Sequence, residues 1–162
     1  MRVFVTGAAG FIGSGVVPEL IRAGHTVTGL ARSDANVETL KRMGANVLRG
    51  SLEDLGSLKR GAAESDGVIH LAFIHDFAKF AENGQVDKRA IETMGETLAG
   101  TNKPLVVTSG VGLLTPGRLS TEDDAARVGE AIPRVSEQAA FAFTNRGVRV
   151  SAVRLPQVHG FD

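Results

Sequence analysis

Thr6-Gly7-Ala8-Ala9-Gly10-Phe11-Ile12-Gly13 places three glycines at three-residue spacing directly behind an apolar stretch. Residues of these types at this spacing can hold a phosphate. An apolar strand ends, the chain turns tightly, and a helix begins with N–H groups that have no intrahelical acceptor. Those groups sit at the positive end of the helix dipole and form an anion site. Glycines permit the turn and let a pyrophosphate approach the backbone. Gly7, Ala9, Gly10, Phe11, Ile12 and Gly13 are therefore expected to lie against a dinucleotide. Glycines serving only as turn or packing residues leave the spacing, and its place at a strand end, unexplained.

About 20 residues further on, an acidic side chain would bind a ribose 2′-hydroxyl, as for NAD, whereas an arginine accommodates the 2′-phosphate of NADP. The chain reads Gly29-Leu30-Ala31-Arg32-Ser33-Asp34 there. Arg32 can bind a phosphate bidentately and Ser33 can add a hydroxyl donor. NADP is the expected cofactor, with NAD the alternative. Asp34 leaves two choices open: a partner for Arg32, or the acid itself.

Candidates for proton chemistry are few. His75-Asp76 pairs an imidazole with a carboxylate, which suits acid or base work near neutral pH; equally, Asp76 caps the next helix and His75 is a loop residue. Thr108 and Ser109 end an apolar run and could bind substrate or ribose, or satisfy local backbone. His159 follows the last apolar run and could reach the same region. His70 lies inside an apolar strand, and both it and His25 read as structural.

The elements that position these groups alternate. Arg2–Val5, Thr26–Ala31, Asn46–Arg49, Val68–Ala72, Leu105–Thr108 and Val148–Leu155 read as strands, apolar without polar alternation, as in a parallel sheet covered on both faces. Helices are expected over Phe11–Ala23, Asn36–Met43, Leu52–Ala63, Phe77–Ala99, Thr121–Gly129 and Pro133–Arg146. Pro18 should kink the first of these or cost about 3 kcal/mol. Asn83-Gly84 should break the long fourth one. Strand–helix alternation means right-handed βαβ units and an α/β doubly wound parallel sheet with helices on both faces.

Composition fits one domain of 162 residues. Lys plus Arg and Asp plus Glu number 18 each, so no overall field draws nucleic acid or an anionic membrane. There is no cysteine, which excludes thiolate catalysis, disulfides and cysteine-bound metal, and fits a cytoplasmic protein. No apolar run nears the ~20 residues that span a bilayer, and Met1–Val17 reads as strand, turn and helix rather than a signal peptide. The chain has neither tyrosine nor tryptophan.

With these residues in view, the chain resembles the short-chain dehydrogenase/reductase superfamily, on its extended or atypical, NAD-dependent epimerase/dehydratase-like side. Four stretches carry the likeness: Thr6–Gly13, Val68-Ile69-His70-Leu71-Ala72, Val106-Val107-Thr108-Ser109, and Val153-Arg154-Leu155-Pro156 running on to Val158-His159-Gly160. The resemblance implies a Rossmann fold. It implies further that Leu71, Ala72 and Phe73 pass the cofactor ribose, that Ser51 and Leu52 lie by the adenine, and that Thr108 and Pro156 lie on the nicotinamide side.

Two departures matter. Superfamily members use a Tyr-x-x-x-Lys pair before the sixth strand and a serine or threonine after the fifth. With Ser136-Glu137 set on the family's Ser-Lys, Pro133 holds the tyrosine position and Glu137 the lysine position, while the serine position falls near Gly110. His75 and Ser109 are the substitutes on offer. The chain also stops where extended members continue into a substrate-binding region. A possible homodimer would pair helices 77–99 and 133–146 in a four-helix bundle. The functional expectation is an NADP-preferring oxidoreductase or epimerase-like protein acting on an unknown small molecule; the alternative is a non-catalytic NADP(H)-binding redox sensor or scaffold. A fragment keeping only the fold is the third reading.

Overall fold

The computed structural model describes residues 1–127, 129 and 133–158. Six strands form one parallel sheet in the order β3-β2-β1-β4-β5-β6. They are β1 Arg2–Thr6, β2 Thr26–Ala31, β3 Asn46–Arg49, β4 Gly67–His70, β5 Pro104–Gly110 and β6 Arg149–Leu155. The helices are α1 Phe11–Arg22, α2 Asp34–Arg42, α3 Leu55–Ala63, α4 Phe80–Leu98 and α5 Ser136–Phe141. The strand order reverses between β1 and β4, where ligands bind in open α/β sheets. Register pairs Thr6 with His70 across that point.

Two apolar cores flank the sheet. Val5, Val17, Val27 and Leu40 pack under α1 and α2. Phe4, Leu58, Ile91, Met94 and Leu105 pack on the opposite face under α3, α4 and α5. Alternate residues of one strand thus serve opposite cores: Phe4 faces one and Val5 the other. Gly61 lets α3 close over Phe4, since a Cβ there would stand 2.5 Å from the Phe4 ring. The first helix ends as its sequence implies. Gly24, at φ +82°, donates to Ile21 O and His25 N donates to Leu20 O, the two bonds of a Schellman stop.

Several expectations need correction. Helix α4 runs unbroken through Asn83-Gly84. Asn83 Nδ2 donates to Asp76 O at 2.8 Å, holding the one-turn helix Phe77–Lys79 that precedes α4. Gly84 is buried against the Pro133 carbonyl, which a Cβ would approach to 2.8 Å. The glycine serves close packing, not termination. Thr121–Gly129 forms no helix over its described residues. Asp124 turns the chain instead, accepting from Thr121 N at 2.8 Å and pairing with Arg118, while Arg154 Nη2 donates to the Asp124 carbonyl at 2.6 Å.

The helix expected over Pro133–Arg146 shrinks to α5, because Val135 has a non-helical φ of −123° with ψ 29°. Its tail is a single turn, Thr144–Arg146, closed by Gly147 at φ +73°. Helix α3 starts at Leu55, behind Asp54, which accepts from Ser57 N at 3.1 Å. Helix α1 continues past Pro18. The carbonyl that Pro18 leaves unbonded belongs to exposed Ser14, where water can reach it. Strand β6 is not covered on both sides. Val150 and Ala152 pack on a core, whereas Ser151 and Val153 are exposed. Among the described residues no helix is long and apolar enough to cross a membrane.

Candidate functional site

A cleft of about 820 Å³ opens at the carboxyl ends of β1 and β4. Its floor is the glycine turn. Gly7 has φ +68°, and a Cβ on it would stand 2.7 Å from Ala72 N. A Cβ on Gly13 would stand 2.3 Å from Gly7 O. Both positions therefore admit only glycine without moving backbone. Gly10 is the N-cap of α1 and offers no side-chain cap. Its own N–H is taken by Gly7 O at 3.0 Å, and its carbonyl accepts the helix's first bond from Ser14 N at 2.8 Å. The N–H groups of Phe11, Ile12 and Gly13 are left uncapped at the cleft wall, at the positive end of a 12-residue helix. That cradle fits a pyrophosphate.

Gly7, Ala9, Gly10, Phe11, Ile12, Gly13, Arg32, Ser51, Leu52, Leu71, Ala72, Phe73 and His75 all line the cleft. Ser33 does not. Its hydroxyl caps α2 by accepting from Asn36 N at 3.3 Å. Asp34, exposed, pairs with Arg49 rather than with Arg32. Arg32 is exposed and, among the described residues, makes no ion pair or side-chain hydrogen bond. Ser51 Oγ accepts from Glu53 N and Asp54 N, each at 3.2 Å, which leaves its proton free to donate. Thr108 is buried and off the cleft wall, its hydroxyl donating to His70 O at 3.1 Å. Pro156 is exposed and off the cleft wall. His159 lies outside the described residues.

Ser109 sits behind the sheet edge. Its hydroxyl is buried with no hydrogen-bond partner among the described residues. It is near enough to Glu137 to favour that carboxylate's charge without reaching hydrogen-bond geometry. Glu137 is locked by Arg154. Nε and Nη2 of Arg154 donate to its two oxygens at 2.9 and 2.7 Å. The pair holds the Glu137 carboxyl below its ordinary range and Arg154 above its own.

A buried chain of hydrogen bonds runs from the glycine turn to α5. Thr6 Oγ1 meets His70 Nδ1 at 2.7 Å, and His70 Nε2 meets Asp87 Oδ1 at 3.0 Å. Ser136 Oγ donates to Asp87 Oδ2 at 2.5 Å, and Arg134 Nε donates to Ser136 Oγ at 2.9 Å. Both ring nitrogens of His70 are thus satisfied in the core, so it is structural, as its apolar strand implied. Arg134 also donates to Thr108 O and lies 4.3 Å over the Phe73 ring. Burial draws its guanidinium below the usual range, against the pull of Asp87 and Glu137.

Sequence reading missed Leu30, Asn36, Gly50, Glu53 and Ile74 on the cleft wall. Asn36 had a readable signal, since it sits in the first turn of the helix behind Arg32. The contact between Arg134 and Phe73 had none.

Residues 3–99 match the model of the NAD dependent epimerase/dehydratase family. The chain belongs to that family. An uncharacterized protein of Saccharomyces cerevisiae is 48% identical over 164 residues, spanning 99% of this chain and 55% of that protein. A dihydroflavonol 4-reductase of Hordeum vulgare is 37% identical over 123 residues, 68% of this chain and 35% of that protein. Among solved structures, the UDP-glucuronic acid 4-epimerase of Bacillus cereus, in complex with NAD, superposes with TM-score 0.72 at 19% identity, over 99% of this chain and 58% of that one. The last likeness is one of fold. The chain spans about half the length of the yeast relative.

Proposed function

We propose that the cleft binds a nicotinamide dinucleotide, NADP in preference to NAD, and that the protein is an oxidoreductase or epimerase-like member of its family. The uncapped N–H groups over Gly7–Gly13 carry this reading. They would hold the pyrophosphate, with Gly7 and Gly13 keeping side chains out of its path. Arg32, exposed at the end of β2 and unpaired among the described residues, supports the 2′-phosphate. Asp34 pairs with Arg49 and leaves Arg32 unpaired. Ser51 and Leu52 would flank the adenine, and Leu71 to Phe73 the ribose beside the nicotinamide. When bound, such a cofactor supplies hydride transfer.

For proton transfer the chain offers His75. Of the cleft-lining side chains, Arg32, Glu53, His75 and Asp76 ionise. An imidazole is the one of these types that both gives and takes a proton near neutral pH. Two observations favour a second reading, a redox sensor that binds without turnover: there is no tyrosine, and Glu137 is closed by Arg154.

Titration with NADPH and NADH tests the cofactor reading. NADPH should bind more tightly, and Arg32→Ala should raise its Kd about tenfold or more while leaving that of NADH nearly unchanged. Equal losses for both cofactors would remove the 2′-phosphate role. Turnover of a carbonyl panel that survives His75→Ala intact would end the case for His75.

A further inference from the structure

His75 is exposed, and among the described residues its ring makes no hydrogen bond or ion pair. What holds it is ring packing, edge to face against Phe73 at 5.4 Å and against the exposed Phe77 at 6.3 Å. Phe73 is packed in turn by Phe80 at 5.7 Å and by the Arg134 guanidinium, 4.3 Å over its ring. That guanidinium has little freedom. Nε donates to Ser136 Oγ and Nη2 to Thr108 O, each at 2.9 Å. Behind it, Asp87 dictates the order of protons, because a carboxylate can only accept. His70 Nε2 donates to one oxygen and Ser136 Oγ to the other, so Ser136 keeps its lone pairs for Arg134 Nε. Thr108 closes the circuit by donating to His70 O. His70, Asp87 and Ser136 are buried.

We propose that Arg134 is a positioning residue: fixed by Ser136 and Asp87, it sets the Phe73 ring on the cleft wall and, through that ring, His75. Phe73 and His75 line the cleft, whereas Arg134 does not. Its action on a ligand therefore passes through Phe73. An arginine suits the task because its planar fork can lie flat on a ring while its edge donates to two fixed acceptors. The proposal rests on the dinucleotide reading in taking Phe73 as part of the cofactor's wall and His75 as the group that moves a proton.

A double-mutant cycle and a spectroscopic signature test it. NADPH is titrated against the wild type, Arg134→Leu, Phe73→Leu and the double variant, each shown by thermal unfolding to be folded. Arg134→Leu should raise the NADPH Kd about three- to tenfold. Added to Phe73→Leu it should cost less than about twofold more, because the ring it acts through is already gone. An additive loss, as a direct contact of Arg134 Nη1 with a phosphate would give, would overturn the proposal, and so would unchanged affinity in Arg134→Leu. In cofactor-free protein, the NMR signals of the His75 ring, identified by their loss in His75→Gln, report the geometry independently. Arg134→Leu should move them as the Phe73 ring current shifts, while those of His25, at the amino edge of the sheet, stay. His75 signals that do not move would overturn the proposal even if affinity fell. If Arg134→Leu does not fold, Arg134→Gln replaces it, keeping a donor for Ser136 without the guanidinium, with the same outcomes expected. Failure of the wild type to bind NADPH, with the His75 signals still dependent on Arg134, would sink the dinucleotide reading and leave the positioning role standing.

Discussion

Glu137 and Arg154 close each other off beside the sheet edge. The bidentate pair satisfies both charges, and Arg154 also braces the Asp124 turn. Glu137→Gln would leave a largely buried guanidinium half-paired. The pair borders a cavity of about 630 Å³ that water can enter, so the cost should fall below that of a deeply buried pair, at about 2 kcal/mol near neutral pH. The folded-state carboxyl titrates below its ordinary value. Its contribution is therefore complete above the unfolded value and is lost as pH falls through the folded one. Urea unfolding of the wild type and Glu137→Gln should show the full gap at about pH 7 and a smaller one at about pH 3.5. A gap that widens in acid would contradict the pairing.

At the scale of elements, two helical glycines separate packing from propensity. Gly15 in α1 is exposed, with nothing within 4 Å of an added Cβ. Gly15→Ala should raise stability by about 0.5–1 kcal/mol. Gly84 in α4 faces the Pro133 carbonyl. Gly84→Ala should lower stability despite alanine's higher helix propensity, as thermal unfolding would show; a gain would mean that α4 and the segment before α5 do not pack this closely. The same contrast explains what the sequence revealed. The apolar strands and the turn after β1 are written in consecutive residues and were legible. The continuity of α4 rests on a neighbour about 50 residues away, which no local pattern shows. The 121–129 segment looked helical because Thr-Glu-Asp-Asp suits a first turn, yet Thr121 and Asp124 are drawn into bonds with each other, Arg118 and Arg154. At the site, Gly7 to Gly13 were readable by spacing, and Leu71 to Phe73 through the family resemblance alone. The link from Thr6 through His70 and Asp87 to Ser136 joins side chains 64, 17 and 49 residues apart and was not.

Across the whole molecule, the described chain is a six-stranded parallel sheet flanked by helices, with its cleft at the reversal of strand order. The α5 side chains Ala139 and Ala140, and Phe143 just past the helix, are buried in the chain's own core. A dimer through α4 and α5 would have to use others, such as exposed Phe141. The central claim is that the glycine turn binds the pyrophosphate of a nicotinamide dinucleotide. Amide NMR during NADPH titration tests it most directly. Saturable shifts concentrated at Gly7, Phe11, Ile12 and Gly13, together with Arg32, are the result expected. No shift at these amides with millimolar NADPH, in protein shown to be folded, would contradict the account.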